Sequence, residues 1–171
     1  MANKIIRTYA LAQLSDLTTT SNTVTQNPNY KLGDRVVIYD EAYKVANEYI
    51  YVYSNGGCAQ YGVYGIAYTG TAGTEVQSLL PASLAVYQLF GVAPVAITTL
   101  YYGWLQVKGI CTYLATSSTA TATYFGKAVN GVNTATDESA TRGTASILMC
   151  TATATGTSTT GYLLGERVIV A

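Results

Sequence analysis

The chain contains no histidine, and among its 171 residues only 9 are basic and 9 acidic. Without an imidazole, the usual proton shuttle near neutral pH is missing, and Ser-His-Asp and Cys-His sites are excluded outright. Zero net charge and the lack of any basic cluster argue against a nucleic-acid partner. The three cysteines, Cys58, Cys111 and Cys150, are odd in number and show no CxxC spacing. Without histidine they cannot complete a common zinc pattern, so they read as free, buried thiols. Residues 76–107 carry no charge, yet Gln77, Pro81, Gln88, Pro94, Thr98 and Thr99 interrupt them, and the period of the segment is nearer two than 3.6. No membrane span is expected there. The apolar stretch in MANKIIRTYALAQLSD is too short and too broken for a secretory signal, which predicts a protein made in a reducing cytoplasm.

Apolar and aromatic residues are plentiful. Hydrophobic residues make up 49% of the chain, 16 residues are tyrosine, and charged residues are only 11%, where soluble domains carry about 25%. Between Glu75 and Asp137 the only charges are Lys108 and Lys127. A surface built from such a sequence is aromatic or Thr-rich and suited to meeting another protein. The charge-poor middle therefore predicts a homo-oligomer, with a trimer the first expectation.

Periodicity points to an all-β fold, a sandwich or barrel of short antiparallel strands with an N-terminal arm. Residues 1–29 read as that arm and its linker, with a short helix at Tyr9–Leu17 followed by TTTSNTVTQNPN. Residues 30–171 read as the β domain, divisible into 30–115 and 116–171. Strands are expected at Arg35–Tyr39, Ala42–Val45 and Tyr49–Tyr53. In the last, Tyr49, Tyr51 and Tyr53 share one face and Ile50 and Val52 the other, so both faces are covered. Ser54-Asn55-Gly56-Gly57 reads as a turn leading into a returning strand at Ala59–Tyr68.

Leu89–Gly109 reads as a hairpin that places Val92, Val95 and Ile97 before a tight turn near Tyr101-Tyr102-Gly103. Beyond the turn, Trp104, Gln106 and Lys108 share one face and Leu105 and Val107 the other. The two TATAT segments, Thr119–Thr123 and Thr151–Thr155, read as strands with threonine on one face and alanine on the other. Leu32-Gly33-Asp34-Arg35-Val36-Val37-Ile38 is echoed by Leu164-Gly165-Glu166-Arg167-Val168-Ile169-Val170, and more faintly by Gly126-Lys127-Ala128-Val129. Each copy reads as a glycine turn leading into a core strand.

Catalytic readings are weak. A hydrolase would need paired carboxylates from Asp40, Glu41, Glu48, Asp137 or Glu138, which read as solvated loop charges, and only a Ser-Lys arrangement stays open. Asp34, Asp40 and Glu41 lack the regular ligand spacing of a calcium loop. No enzyme, cofactor or metal is expected. The candidate interface comprises Ile5, Ile6, Tyr9 and Leu11 in the arm, together with Tyr101, Tyr102 and Trp104. The arm is too apolar for a free tail and is expected to dock on a neighbouring subunit or a shell beneath. For Trp104 two roles compete, a plug in the chain's own core and an anchor in a partner.

The LGDRV strand, the YIYVYSNGG hairpin, the GVA and YGW-x-QV-x-G segments and the terminal LG-x-R-V-x-V together resemble small virion proteins of tailed bacteriophages, in particular capsid decoration proteins. That resemblance implies a β-rich protein on the outside of an icosahedral head, assembled in the host cytoplasm. It also implies trimers that bind the major capsid protein and brace the shell. The rival readings are a head-fibre base, a tail part or a glycan-binding adhesin.

Overall fold

The computed structural model describes residues 4–8, 30–69, 75–79, 89–116, 122–129, 132–142, 146–153 and 158–165, with residues 4–8, 68–69, 75–79 and 137–139 described by their backbone path. Among the described residues there is no helix. The strands are β1 (Lys4–Thr8), β2 (Arg35–Asp40), β3 (Val45–Ser54), β4 (Val63–Thr69), β5 (Glu75–Leu79), β6 (Leu89–Val92), β7 (Tyr102–Leu114), β8 (Phe125–Ala128), β9 (Ala135–Ser139), β10 (Leu148–Cys150) and β11 (Ser158–Leu164). The all-β expectation holds.

These strands form one sheet in the order β1-β2-β3-β5-β4-β6-β7-β11-β10-β8-β9, with a further pairing of β3 to β7. All neighbours are antiparallel except β3 and β5. The sheet ends at β1 and β9 and is not closed into a barrel as a whole. Within it, the pairings β3–β5–β4–β6–β7 lead back to β3. Alternate residues of four of these strands make one buried cluster: Ile50 and Val52, Tyr64 and Ile66, Leu89, then Leu105 and Val107. The period-two pattern read from the sequence is what puts them on one side.

The opposite faces are covered too. Tyr49, Tyr51 and Trp104 pack with Val36 and Ile38, with half-buried Tyr30, Leu32 and Tyr102 against them. Outward-facing Val63, Phe90 and Val92 join Cys111, Tyr113, Leu148 and Leu163 in a further cluster under the second half of β7. All three cysteines are free and buried, as the sequence implies.

Strand β7 changes partner midway. Its residues 102–108 pair with β3, and residues 108–114 pair with β11. The change falls at Gly109, whose φ of +98° lies in the left-handed region. There the buried polar residues Asn47 and Gln106 replace lost ladder bonds. Asn47 Oδ1 accepts from the Ile110 N–H at 3.0 Å, and Gln106 Nε2 donates to the Ile110 carbonyl at 2.6 Å. Both side chains are 5% exposed, so these bonds keep buried backbone groups satisfied.

Several expectations are corrected. Residues 41–44 form a turn rather than a strand, because Asp40 Oδ1 accepts the N–H groups of Ala42 and Tyr43 at 2.9 and 3.2 Å and draws the chain round. The segment after Cys58 does not return beside β3. It enters a strand only at Val63 and pairs with β5 and β6, since the edges of β3 are occupied by β2, β7 and β5. The expected tight turn near Tyr102 is a long loop, because β6 ends at Val92 and Ile97 bridges to Cys58 instead.

Of the TATAT segments, Ala122-Thr123 is a turn and Thr151–Thr153 lies outside any strand. Beside Thr151 the contact with β11 comes down to single bonds, the Thr151 N–H and hydroxyl both donating to the Thr160 carbonyl at 3.1 and 3.0 Å, so threonine's extended preference does not by itself build a strand. Gly33 and Gly165 share the left-handed turn of the repeated motif, whereas Gly126 lies inside β8. Residues 166–170 and the expected helix at Tyr9–Leu17 lie outside the described residues. Part of the arm, β1, pairs antiparallel with β2 of the same chain.

Burial makes the fold sensitive to alkali. Desolvation pushes the Tyr49 hydroxyl from its usual 10 up to about 12, helped by the nearby Cys111 and Asp40 and opposed by a hydrogen bond with Asn47. Unfolded chains release this proton near pH 10 and the folded chain near 12. The contribution is thus complete below pH 10 and is lost as pH rises through 12. The loss should reach on the order of 2 kcal/mol. Burial also pushes the Cys111 thiol up, with the same sign. Urea unfolding from neutral pH to about pH 12 should show this decline. Tyr49→Phe should make it shallower, and an unchanged slope in that variant would refute the assignment.

Candidate functional site

One end of β3 and the start of β7 carry two loops that are bonded into a single tip. Ser54 donates its N–H to the Tyr101 carbonyl at 2.8 Å, and Leu100 donates back to the Ser54 carbonyl at 2.8 Å. Cys58 and Ile97 exchange both backbone bonds at 2.7 and 2.8 Å. The Ser54 hydroxyl lies 3.5 Å from the Cys58 sulfur, buried between the loops. Gly57, at φ +78°, lets the loops approach closely, since a β-carbon there would sit 3.0 Å from the Thr99 hydroxyl. The tip is therefore built before any partner arrives.

At its summit, Thr98, Thr99 and Leu100 are exposed. Leu100 is 53% accessible and has φ +66°. A left-handed conformation costs a leucine roughly 1–2 kcal/mol, which glycine avoids and asparagine largely avoids. Lys44, Tyr61 and Thr123 share that conformation.

Below the summit runs a series of aromatic rings. Tyr53 and Tyr102 lie 5.3 Å apart between centroids, Tyr102 and Tyr51 6.3 Å, and Tyr51 and Trp104 5.0 Å. Tyr30 closes the group at 5.2 Å from both Tyr51 and Trp104. The outer members Tyr53 and Tyr102 are half-buried, while Tyr51 and Trp104 are buried; half-buried Tyr101 packs instead on the Ile50–Leu105 cluster.

Of the residues singled out from the sequence, Tyr101 and Tyr102 stand at this tip. Trp104 does not: at 1% exposure it packs within the chain's own core. Ile5 and Ile6 lie on β1, at the sheet edge beyond β2 and away from the tip. Tyr9 and Leu11 lie outside the described residues. Sequence reasoning missed Leu100, because nothing in TTLYYG signals a left-handed leucine.

The described carboxylates serve the fold. Asp34 accepts the Lys31 N–H at 3.0 Å, Asp40 caps the turn, and Glu41 pairs with Lys44 at 3.2 Å. Glu48 meets Arg35 at 2.6 Å. That pair lines a cavity of about 230 Å³ together with Lys108 and the apolar Leu89, Val107 and Leu164. Among the described residues no serine, threonine or cysteine lines it. Among the described residues no group of three metal-ligating side chains forms, and no helix is long and apolar enough to cross a membrane.

No family model matches this chain. No curated protein matches it either. Among solved structures, the N base of head fiber gp8.5 in bacteriophage phi29 is similar in fold, with a TM-score of 0.50 at 10% sequence identity. The likeness covers 71% of this chain and 98% of that one. At that identity the shared property is the fold.

Proposed function

We propose that this chain is a non-enzymatic structural protein of a tailed-phage virion, seated on the outside of the head as the base of a surface projection. The observation that carries this reading is the likeness in fold to a head-fiber base across nearly the whole of that protein. The carboxylates held in turns and ion pairs support a role without chemistry. A base needs a rigid β-body, one face for the major capsid protein and many copies held by symmetry, where repetition converts weak single contacts into firm attachment. A trimer suits local threefold positions of such a shell.

The decoration reading retains the support of the LGDRV and YGW-x-QV-x-G motifs. The two differ in what particles lose without the protein. Particles assembled in its absence should lack density at the foot of a surface projection while keeping their resistance to heat. Heat-labile heads would favour decoration instead. Imaging that finds no copy of the protein on intact particles would reject both.

A further inference from the structure

We infer that Asn55 is a site of covalent modification: the backbone nitrogen of Gly56 attacks its side-chain amide and converts it, without an enzyme, to aspartate and isoaspartate, so that the tip gains a negative charge as the protein ages. The inference goes beyond the virion reading and does not depend on it, since the conversion is measured on the free protein.

The chemistry consumes only water. The Gly56 nitrogen forms a bond to the Asn55 side-chain carbonyl carbon, and the bond from that carbon to the amide nitrogen breaks. The proton of the Gly56 N–H leaves with the amide nitrogen as ammonia. Water then opens the cyclic imide at either of its carbonyls. One opening gives aspartate, and the other gives isoaspartate, whose main chain runs through the side-chain carbon and is a methylene longer.

The structure leaves this step open at Asn55. Asn55 and Gly56 are both exposed, in a bend between the bonded points Ser54 and Cys58. Neither the Asn55 amide nor the Gly56 N–H has a hydrogen-bond partner among the described residues. A β-carbon at Gly56 would meet nothing within 4 Å, so no neighbour screens the attacking nitrogen on that side. The other described asparagines are held. Asn47 is 5% exposed and its Oδ1 accepts the Ile110 N–H at 3.0 Å. Asn133 is half-buried and donates to the Tyr64 hydroxyl at 3.4 Å. Glu48 and Thr134 follow them, so there the attacking nitrogen belongs to a residue with a side chain.

The charge arrives where there is none. No Asp, Glu, Lys or Arg occurs from residue 49 to 74 or from residue 76 to 107, so both loops of the tip are uncharged as synthesised. An aspartate at position 55 changes which surfaces the tip can meet. Gly56 is also free to be varied. Gly57 is fixed at φ +78° against Thr99, whereas Gly56 has no positive φ and open space beside it.

The test incubates the folded wild type, the wild type unfolded in guanidinium and the Gly56→Ala variant at mildly alkaline pH in heavy-oxygen water. Chymotryptic cleavage in ordinary water, after Tyr53 and Tyr61, then releases residues 54–61, and mass spectrometry reads the heavy oxygen that conversion leaves at residue 55. The peptide of residues 44–49 reports Asn47. Asn55 in the folded chain should convert within about tenfold of its rate in the unfolded chain, and at least about tenfold faster than Asn47. Gly56→Ala should melt like the wild type and convert at least about fivefold more slowly, because a β-carbon crowds the attacking nitrogen. A folded-state rate below about a tenth of the unfolded one overturns the inference. So does an unchanged rate in Gly56→Ala, which would show that the Gly56 nitrogen is not the attacking group. The wild-type comparison decides the matter whatever the stability of the variant.

Discussion

Replacing Trp104 with alanine should lower the unfolding free energy by about 3–5 kcal/mol, the largest single-residue effect expected in this fold. The indole sits opposite Tyr51 in the β3–β7 register. It packs with Val36, Ile38 and Tyr49, and the ring of Tyr30 lies 5.2 Å from it. Truncation would open a void that β-sheet backbones cannot close by collapsing, because their ladders hold them apart. Trp104→Phe provides the control. It keeps a ring in place and removes an indole N–H that is buried without an acceptor, a group that costs about 1–3 kcal/mol when unsatisfied. Its loss should be much smaller than that of alanine. Urea unfolding followed by far-UV circular dichroism is the measurement, since this is the chain's one tryptophan and its fluorescence disappears with it. An alanine variant within about 1 kcal/mol of wild type would refute the core role.

A second large effect is expected from Gly109→Ala. At φ +98° a β-carbon is strained whatever the space. Here it would also overlap the Asn47 side-chain oxygen and lie 2.9 Å from the Ala46 carbonyl oxygen. Asn47 would have to turn away, leaving the Ile110 N–H without its acceptor. Left-handed strain of roughly 1–2 kcal/mol and an orphaned N–H of about 1–3 kcal/mol add to a loss on the order of 2–5 kcal/mol. In the double variant with Asn47→Ala the overlap is gone and the acceptor is lost only once. The combined loss should therefore fall below the sum of the single losses. Strict additivity in denaturant unfolding would show that the two residues do not act through one another.

What was legible in the sequence follows from local alternation. Tyr49 and Tyr51 against Ile50 and Val52, and Trp104 against Leu105 and Val107, occupy opposite faces as their spacing requires. The free, buried state of Cys58, Cys111 and Cys150 followed from their odd number and spacing. Strand partnership was not legible. The YIYVYSNGG segment carries a strong turn signal, yet β3 pairs with β7, far along the chain, and the turn serves the tip. Local chemistry marks where a strand stops and leaves open which strand it meets. Threonine misled in the same manner, because TATAT has the composition of a strand without the larger apolar residues that would anchor one in a core. Leu100 was invisible for a different reason: its φ is imposed by bonds to Ser54 and Tyr101, residues whose proximity depends on the fold.

The change of partner along β7 also bears on how the chain acquires its shape during synthesis. Strands β2 and β3 leave the ribosome with their central residues apolar on both faces, while the strand that completes them is still to be translated. Once β7 emerges, its first half completes the sheet around β3, and its second half supplies the surface on which β11 and, through it, β10 and β8 assemble. Both halves of the sheet share β7, so their unfolding is expected to be coupled. The nascent chain is accordingly expected to keep these apolar faces uncovered at least until residue 114 is clear of the exit tunnel.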